Sequence, residues 1–379
     1  MLAVMWVLAA PAAAHEVQVR DSGDLIAAVQ NADAGDDIVL ADGVYLITGK
    51  ITAGSVGTAA APITVRAAHP LGALIRSSSQ VLFEVTAPFW HFSGLDIRGV
   101  CSDDTTCEHA FHVVGAADGF ELSHCRLGDF NAHLKVNADG AHHLPADGVV
   151  ADNEFFDTHP RHTDNPVATV NIDNAVRWVV RGNLVHDFQK DGGGEDAYGI
   201  FVKGGSQSPV IERNLIECNS VHAPVGHMVG LSFGAHGMDS NLCPPYWDFQ
   251  KVCDPEVTGG VMRNNIIGSC NGDGIYVFRS KESQILYNSM ERTGGIEFRL
   301  PGSSGVVRGN VLDRPVRAVD GAHFTDGGNR LAGAGPVALP GPDALVADDY
   351  CGRARMGGLD VGALQARLGV CALLHWLGR

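Results

Sequence analysis

Between residues 198 and 310 apolar and polar positions alternate in short bursts, and the bursts recur. One burst reads GIFVK at 199–203, GLSFG at 230–234, GIYVF at 274–278 and GIEFR at 295–299. A second ends in asparagine: VIERN at 210–214, VMRNN at 261–265, QILYN at 284–288 and VVRGN at 306–310. Alternation with a period of two predicts strands. Their repeat is 22 residues from Asn288 to Asn310 and 23 from Asn265 to Asn288. It lengthens to 31 from Asn183 to Asn214 and 30 from Asn153 to Asn183. A strand repeat in the low twenties, stretched by insertions, predicts an all-β fold, the right-handed parallel β-helix.

Stacking such coils about 4.8 Å apart places Ile200, Leu231, Ile275 and Ile296 in one inward row and Val202, Phe233, Val277 and Phe298 in another. The strand-end asparagines are expected to form a ladder whose amides satisfy backbone groups at the bend. Ahead of the repeat, residues 24–32 (DLIAAVQNA) have the spacing of a short helix that plugs the first coil. Residues 331–342, rich in Gly, Ala and Pro, read as a linker, and 359–377 as a helical or irregular cap. The expected organisation is therefore a leader over 1–14, a β-helix over 15–330, and a linker with cap over 331–379.

The outward positions of the same strands form a column. His133, Lys135 and Asn137 lie on one coil, Asn171 and Asp173 on the next, and Phe201 and Lys203 on the next. Tyr276 with Phe278, and Glu297 with Arg299, follow, with Arg279 and His162 on neighbouring turns. At about 5 Å per rung, Lys135, Asn137, Asn171, Asp173 and Lys203 can meet one sugar ring, whereas Arg299 stands three coils away at a neighbouring subsite.

Composition narrows the reading. The chain has 379 residues, 27 basic against 43 acidic, for a net charge of −16. There is no basic run, which argues against nucleic acid. Cations gathered on one face of an acidic protein suit an acidic polysaccharide. Residues 1–14 are apolar and end in AAA, as a signal peptide does, and are too short to span a bilayer. The nine cysteines fit an oxidising compartment. A monomer in the periplasm or secreted is expected, with Cys101–Cys107, Cys243–Cys253 and Cys351–Cys371 paired by proximity, and Cys125, Cys218 and Cys270 as buried thiols.

Residues 36–45 (DDIVLADGVY) and 92–98 (FSGLDIR) resemble the opening coils of the chondroitinase-B-like group, the polysaccharide lyases of the sixth family and their relatives. The tail at 349–355 (DYCGRAR) and 359–363 (LDVGA) resembles a closing motif of exported bacterial β-helix proteins. The resemblance spans roughly 23–363 and implies β-elimination of a uronate. That reaction needs neutralisation of the carboxylate, a base for the C5 proton and an acid for the departing oxygen. In the family calcium does the first, a lysine the second and an arginine the third. Carried onto this chain, Lys203 is the base beside Lys135, Arg299 the arginine, and Asn171, Asp173 and Asp196 the calcium ligands. His133, Asn137, Phe201, Tyr276, Glu297, Arg279 and His162 are left to bind substrate. The family's two glutamates one residue apart before the lysine are here the adjacent Glu195 and Asp196. Without calcium, Lys135 or Arg299 neutralises the carboxylate, and His162 or Tyr276 can act as base or acid. The rival readings are a glycoside hydrolase using loop acids Asp164, Glu195 or Asp196, a C5-epimerase, and a glycan-binding β-helix without turnover.

Overall fold

The computed structural model describes residues 15–194, 196–221, 223–235, 243–245, 247–248, 251–334, 343–355 and 361–364. They form three long parallel sheets of 12, 10 and 11 strands, wound as a right-handed parallel β-helix, with a small sheet of three strands beside them. The first sheet runs from His15–Val19 to Thr325–Asp326, the second from Ile51–Ala53 to Arg317–Val319, and the third from Gly43–Ile47 to Arg330–Leu331.

The register is the one the apolar rows predict. Ile200 pairs with Leu231, Leu231 with Ile275 and Ile275 with Ile296, while Val202, Phe233, Val277 and Phe298 form the parallel row. All eight are fully buried. Where the coils begin, aromatic rings fill the bore: Phe83 stacks on Phe111 at 5.2 Å, and Phe92 packs edge-on to Phe111 at 4.9 Å. The helix Ser22–Gln30 is capped by Asp21, whose side chain accepts from the Asp24 N–H at 2.9 Å, and it buries Leu25 and Val29 against the first coil.

Asn153, Asn183, Asn214, Asn265, Asn288, Asn310 and Asn329 make the ladder. From Asn153 to Asn310, each backbone N–H donates to the Oδ1 of the next asparagine at 2.8–3.0 Å. Each Nδ2 also donates to a carbonyl one coil back, as from Asn265 to Ile211 at 2.9 Å. The amides thus complete the hydrogen bonding of a buried bend that no strand partner reaches.

Cys101–Cys107 and Cys243–Cys253 are disulfides, and Cys125 is a buried free thiol that burial pushes up to about 12. The expectation of free thiols at Cys218 and Cys270 is corrected, because these two are joined. Fifty-two residues separate them, yet they end strands on adjacent coils, with Cα atoms 5.0 Å apart. Proximity in sequence cannot detect a pair whose separation is an insertion. Cys371, proposed to pair with Cys351, lies outside the described residues, as do 1–14, 335–342 and most of 359–377. The described tail lies along the flank of the coil. Asp348 pairs with Arg213 at 2.5 Å, and Arg355 sits over the Tyr287 ring at 4.2 Å.

On the outer face of the third sheet, His186 stacks on Phe156 at 5.3 Å and meets Asp187 at 2.7 Å and Glu154 at 3.3 Å. Burial opposes its charge, but hydrogen bonds to the two carboxylates win and push it up to about 9. A raised histidine stabilises the fold fully below its unfolded pKa of about 6.5, and that stability is lost as pH rises through about 9. The urea midpoint is therefore expected to fall between pH 7 and pH 10 by more in the wild type than in His186→Gln. Equal falls would show that the imidazolium contributes nothing.

Candidate functional site

The site is built on the outer face of the second sheet by strands Ala132–Asn137, Val167–Asp173 and Ala197–Lys203. In these strands Leu134, Val136, Val170, Ile172, Ile200 and Val202 point into the core. Alternation turns Lys135, Asn171, Asp173, Phe201 and Lys203 outward. Lys135 is level with Asn171, Asn171 with Phe201, and Asp173 with Lys203.

Both lysines converge on one carboxylate. Lys135 Nζ lies 3.4 Å from Asp173 Oδ2 and donates to Asn171 Oδ1 at 3.3 Å, and Lys203 Nζ lies 3.4 Å from the same Asp173 oxygen. Lys203 also stands over the Phe201 ring at 5.5 Å. The group is enclosed: Lys203 is 4% exposed and Asp173 8%. Gly204 follows Lys203 with φ +71°, and a Cβ there would collide with Asp173, so the turn after the lysine requires glycine.

Enclosure sets the electrostatics. Burial, reinforced by the charge of Lys203, pushes Lys135 down to about 8 against the pull of Asp173. Burial alone would raise Asp173, but the two lysines hold it below the ordinary carboxylate range. The sequence reading made Lys203 the base, and the structure shows it sharing the Asp173 oxygen with Lys135.

A cavity of about 530 Å³ opens over this group, with Lys135, Asn171, Phe201, Lys203, Tyr198 and Glu108 among its walls. A second, of about 390 Å³, lies along the same face and is lined by Tyr276, Glu297, Arg299, Arg317 and His227. Asp196 lines both.

Other expected site residues fall elsewhere. His133 is fully buried and cannot meet a substrate: it sits between Phe130 and Phe155 and bonds the Phe156 carbonyl at 3.0 Å, and burial pushes it down to about 3. Phe130 and Phe155 belong to the core, as does Leu134, so the ring faces the interior and strict alternation fails at this position. Asn137 bonds His112 at 2.7 Å and lines neither cavity. His162 is 82% exposed beside Asp191. Arg279 stacks on Phe278 at 5.1 Å, away from both cavities. Arg299 is held by Glu297 at 2.8 Å in the second cavity, so it is separated from the lysines. Tyr276 lines that cavity but is only 6% exposed, its phenol raised by burial.

The expected calcium ligands do not fit a calcium ion in this arrangement. Calcium takes six to eight oxygens. Here Asn171 Oδ1 and Asp173 Oδ2 both face the Lys135 ammonium. Asp196 Oδ1 is taken by His227 Nδ1 at 2.7 Å. Among the described residues no group of three His, Cys, Asp or Glu side chains is placed to hold a metal.

Sequence reasoning missed Tyr198, Glu108 and His227 as lining residues. Tyr198 stacks on Phe201 at 4.5 Å on the outer face, although Ala197 and Ile200 are both in the core. The strand loses strict alternation at Gly199, and counting by twos from Ile200 turns Tyr198 the wrong way. Glu108 and His227 each stand just before a strand of the second sheet, and extending the column by that position would have found them. Burial raises the Glu108 carboxyl despite hydrogen bonds from Asn131 and Asn165.

No family model matches the chain, and no curated protein matches it. Among solved structures it is similar to a rhamnogalacturonan lyase, with 14% identity over 93% of each chain and a TM-score of 0.53. It is also similar to the pectate lyase Pel9A, at 15% identity over 90% of this chain and 84% of that one, with a TM-score of 0.52. An alginate lyase from Paenibacillus sp. str. FPU-7 shares 18% identity over 85% of this chain and 97% of that one, with a TM-score of 0.45. At these identities the likeness to the first two is one of fold.

Proposed function

We propose that this chain is a polysaccharide lyase that cleaves a uronate-containing glycan by β-elimination. The observation that carries the reading is the enclosed pair of lysines on Asp173, with Lys135 pushed down to about 8. A pair that has lost one proton supplies both an amine and an ammonium. Lys203, over the Phe201 ring, holds the substrate carboxylate, which makes the C5 proton more acidic. Lys135 takes that proton, the C4–C5 double bond forms as the C4–O bond breaks, and Lys135 returns the proton to the departing oxygen. The chondroitinase-B-like resemblance and the shared fold with a pectate lyase and a rhamnogalacturonan lyase support this choice of chemistry; a fold alone does not dictate it. The three disulfides among the described residues support action in an oxidising, periplasmic or extracellular compartment.

Incubation with alginate, chondroitin or dermatan sulfate, pectate and heparin-type glycans, followed by ultraviolet absorbance of unsaturated uronate, tests the reading. A raised carboxyl at Glu108 and the carboxylate of Asp196 line the same cavity, which favours a glycoside hydrolase as the second reading. New reducing ends without the absorbance would establish it and overturn the lyase.

In this reading an ammonium does the work of a divalent cation. The elimination rate is therefore expected to survive exhaustive chelation, and added calcium is expected to release no binding heat. Loss of rate on chelation, restored by calcium, would show that Asn171 and Asp173 abandon Lys135 for the ion.

A further inference from the structure

Behind Lys203 lies a carboxyl group that the proposed reaction does not use. Glu256 follows the insertion closed by Cys243–Cys253 and is fully buried. Its Oε2 accepts from the Gly204 N–H at 2.8 Å, and its backbone carbonyl accepts from Gly205 and Ser206 at 2.8 and 3.1 Å. Its own N–H donates to the Arg279 carbonyl at 2.7 Å. Glu256 thus holds the whole turn that ends the Lys203 strand. Gly204 is gripped from two sides, by Glu256 on its N–H and by Asp173 packed where a Cβ would stand. Glu256 Oε1 and Asp173 Oδ1 are both buried without a hydrogen-bond partner among the described residues. A cap for one turn needs a single acceptor, which a glutamine or serine supplies without burying a carboxyl group. An acid at this place serves the charges next to it.

We propose that Glu256 is a positioning residue for the lysine pair, fixing the Lys203–Gly204 turn and setting the charge shared by Lys203, Asp173 and Lys135. The inference rests on the lyase reading only for its link to rate. The charged groups facing Glu256 are Lys203, Asp173 and Arg279. Burial outweighs the Gly204 hydrogen bond and the two cations and pushes the carboxyl up to about 7. The negative charge behind the lysines is therefore gained as pH rises through neutrality, just before Lys135 loses its proton.

The test is Glu256→Gln, which keeps an acceptor for Gly204 and removes the charge. Titration of the lysine side chains by NMR is expected to place the midpoint of the lysine pair lower in Glu256→Gln by about half a unit or more, since the anion facing Lys203 holds the shared proton on the pair. The alkaline rise of the rate should move with it while KM stays within about twofold. Identical lysine midpoints in the two proteins would reduce Glu256 to a structural cap and overturn the proposal. The wild type offers a check that no variant's folding can compromise: the Lys203 resonances should show a second inflection near neutrality as Glu256 ionises, and its absence overturns the proposal equally. Absence of elimination on every glycan would remove the lyase reading, while the lysine titrations would still decide the role of Glu256.

Discussion

Lys135→Ala is expected to lower the rate of unsaturated-uronate formation by about 10²–10⁴-fold, the range a positioned general base contributes. Lys135→Arg should be no better, because a guanidinium does not give up its proton at any pH the fold survives. The pH dependence carries the sign. A base must be neutral, so the wild-type rate should rise with pH through about 8, where Lys135 loses its charge. Were Lys135 needed as a cation instead, the rate would fall over the same interval. Initial rates of absorbance increase between pH 6 and pH 9.5 separate the two, and a falling limb would reassign the base to Lys203. Lys203→Ala should act differently. It removes the cation over Phe201 that holds the carboxylate, so KM should rise along with the loss of kcat.

Asn265→Ala is expected to cost about 3 kcal/mol or more of folding stability, since each buried polar group left unsatisfied costs about 1–3 kcal/mol. Asn265 Oδ1 accepts from both the backbone N–H and the Nδ2 of Asn214, and its Nδ2 donates to the Ile211 carbonyl and to Asn288 Oδ1. Alanine abandons these groups in the interior, where water does not reach. The loss should appear as a lower urea midpoint with little change in m, because the same surface is exposed on unfolding. Asn329→Ala, at the end of the ladder, should cost less, for part of that rung is open to solvent. Equal costs at the two positions would mean that burial of the ladder is not what makes it stabilising.

Lys135, Asn171, Asp173 and Lys203 were legible together because one rule, alternation along strands stacked in register, places them all. The same rule predicted His133 as a substrate contact and failed, since the ring packs inward on Phe130 and Phe155 beside the equally inward Leu134. It hid Tyr198, since a single irregularity at Gly199 reverses the count. Glu256 was invisible to it, as the residue reaches Gly204 across 52 positions and a disulfide-closed insertion.

The sequence by itself determined the coil: inward rows of Ile200, Leu231, Ile275 and Ile296, an asparagine at each bend, and an outward wall that gathers two lysines and a carboxylate. These follow from local periodicity, which every repeat states again in its own residues. Only the tertiary structure decided that burial pushes Lys135 down to about 8, that its ammonium takes the oxygens expected to hold calcium, and that Cys218 joins Cys270. Those outcomes depend on how insertions of unequal length fold back over the coil, and so on which groups lose their water. Desolvation is a property of the assembled neighbourhood, which no single repeat encodes.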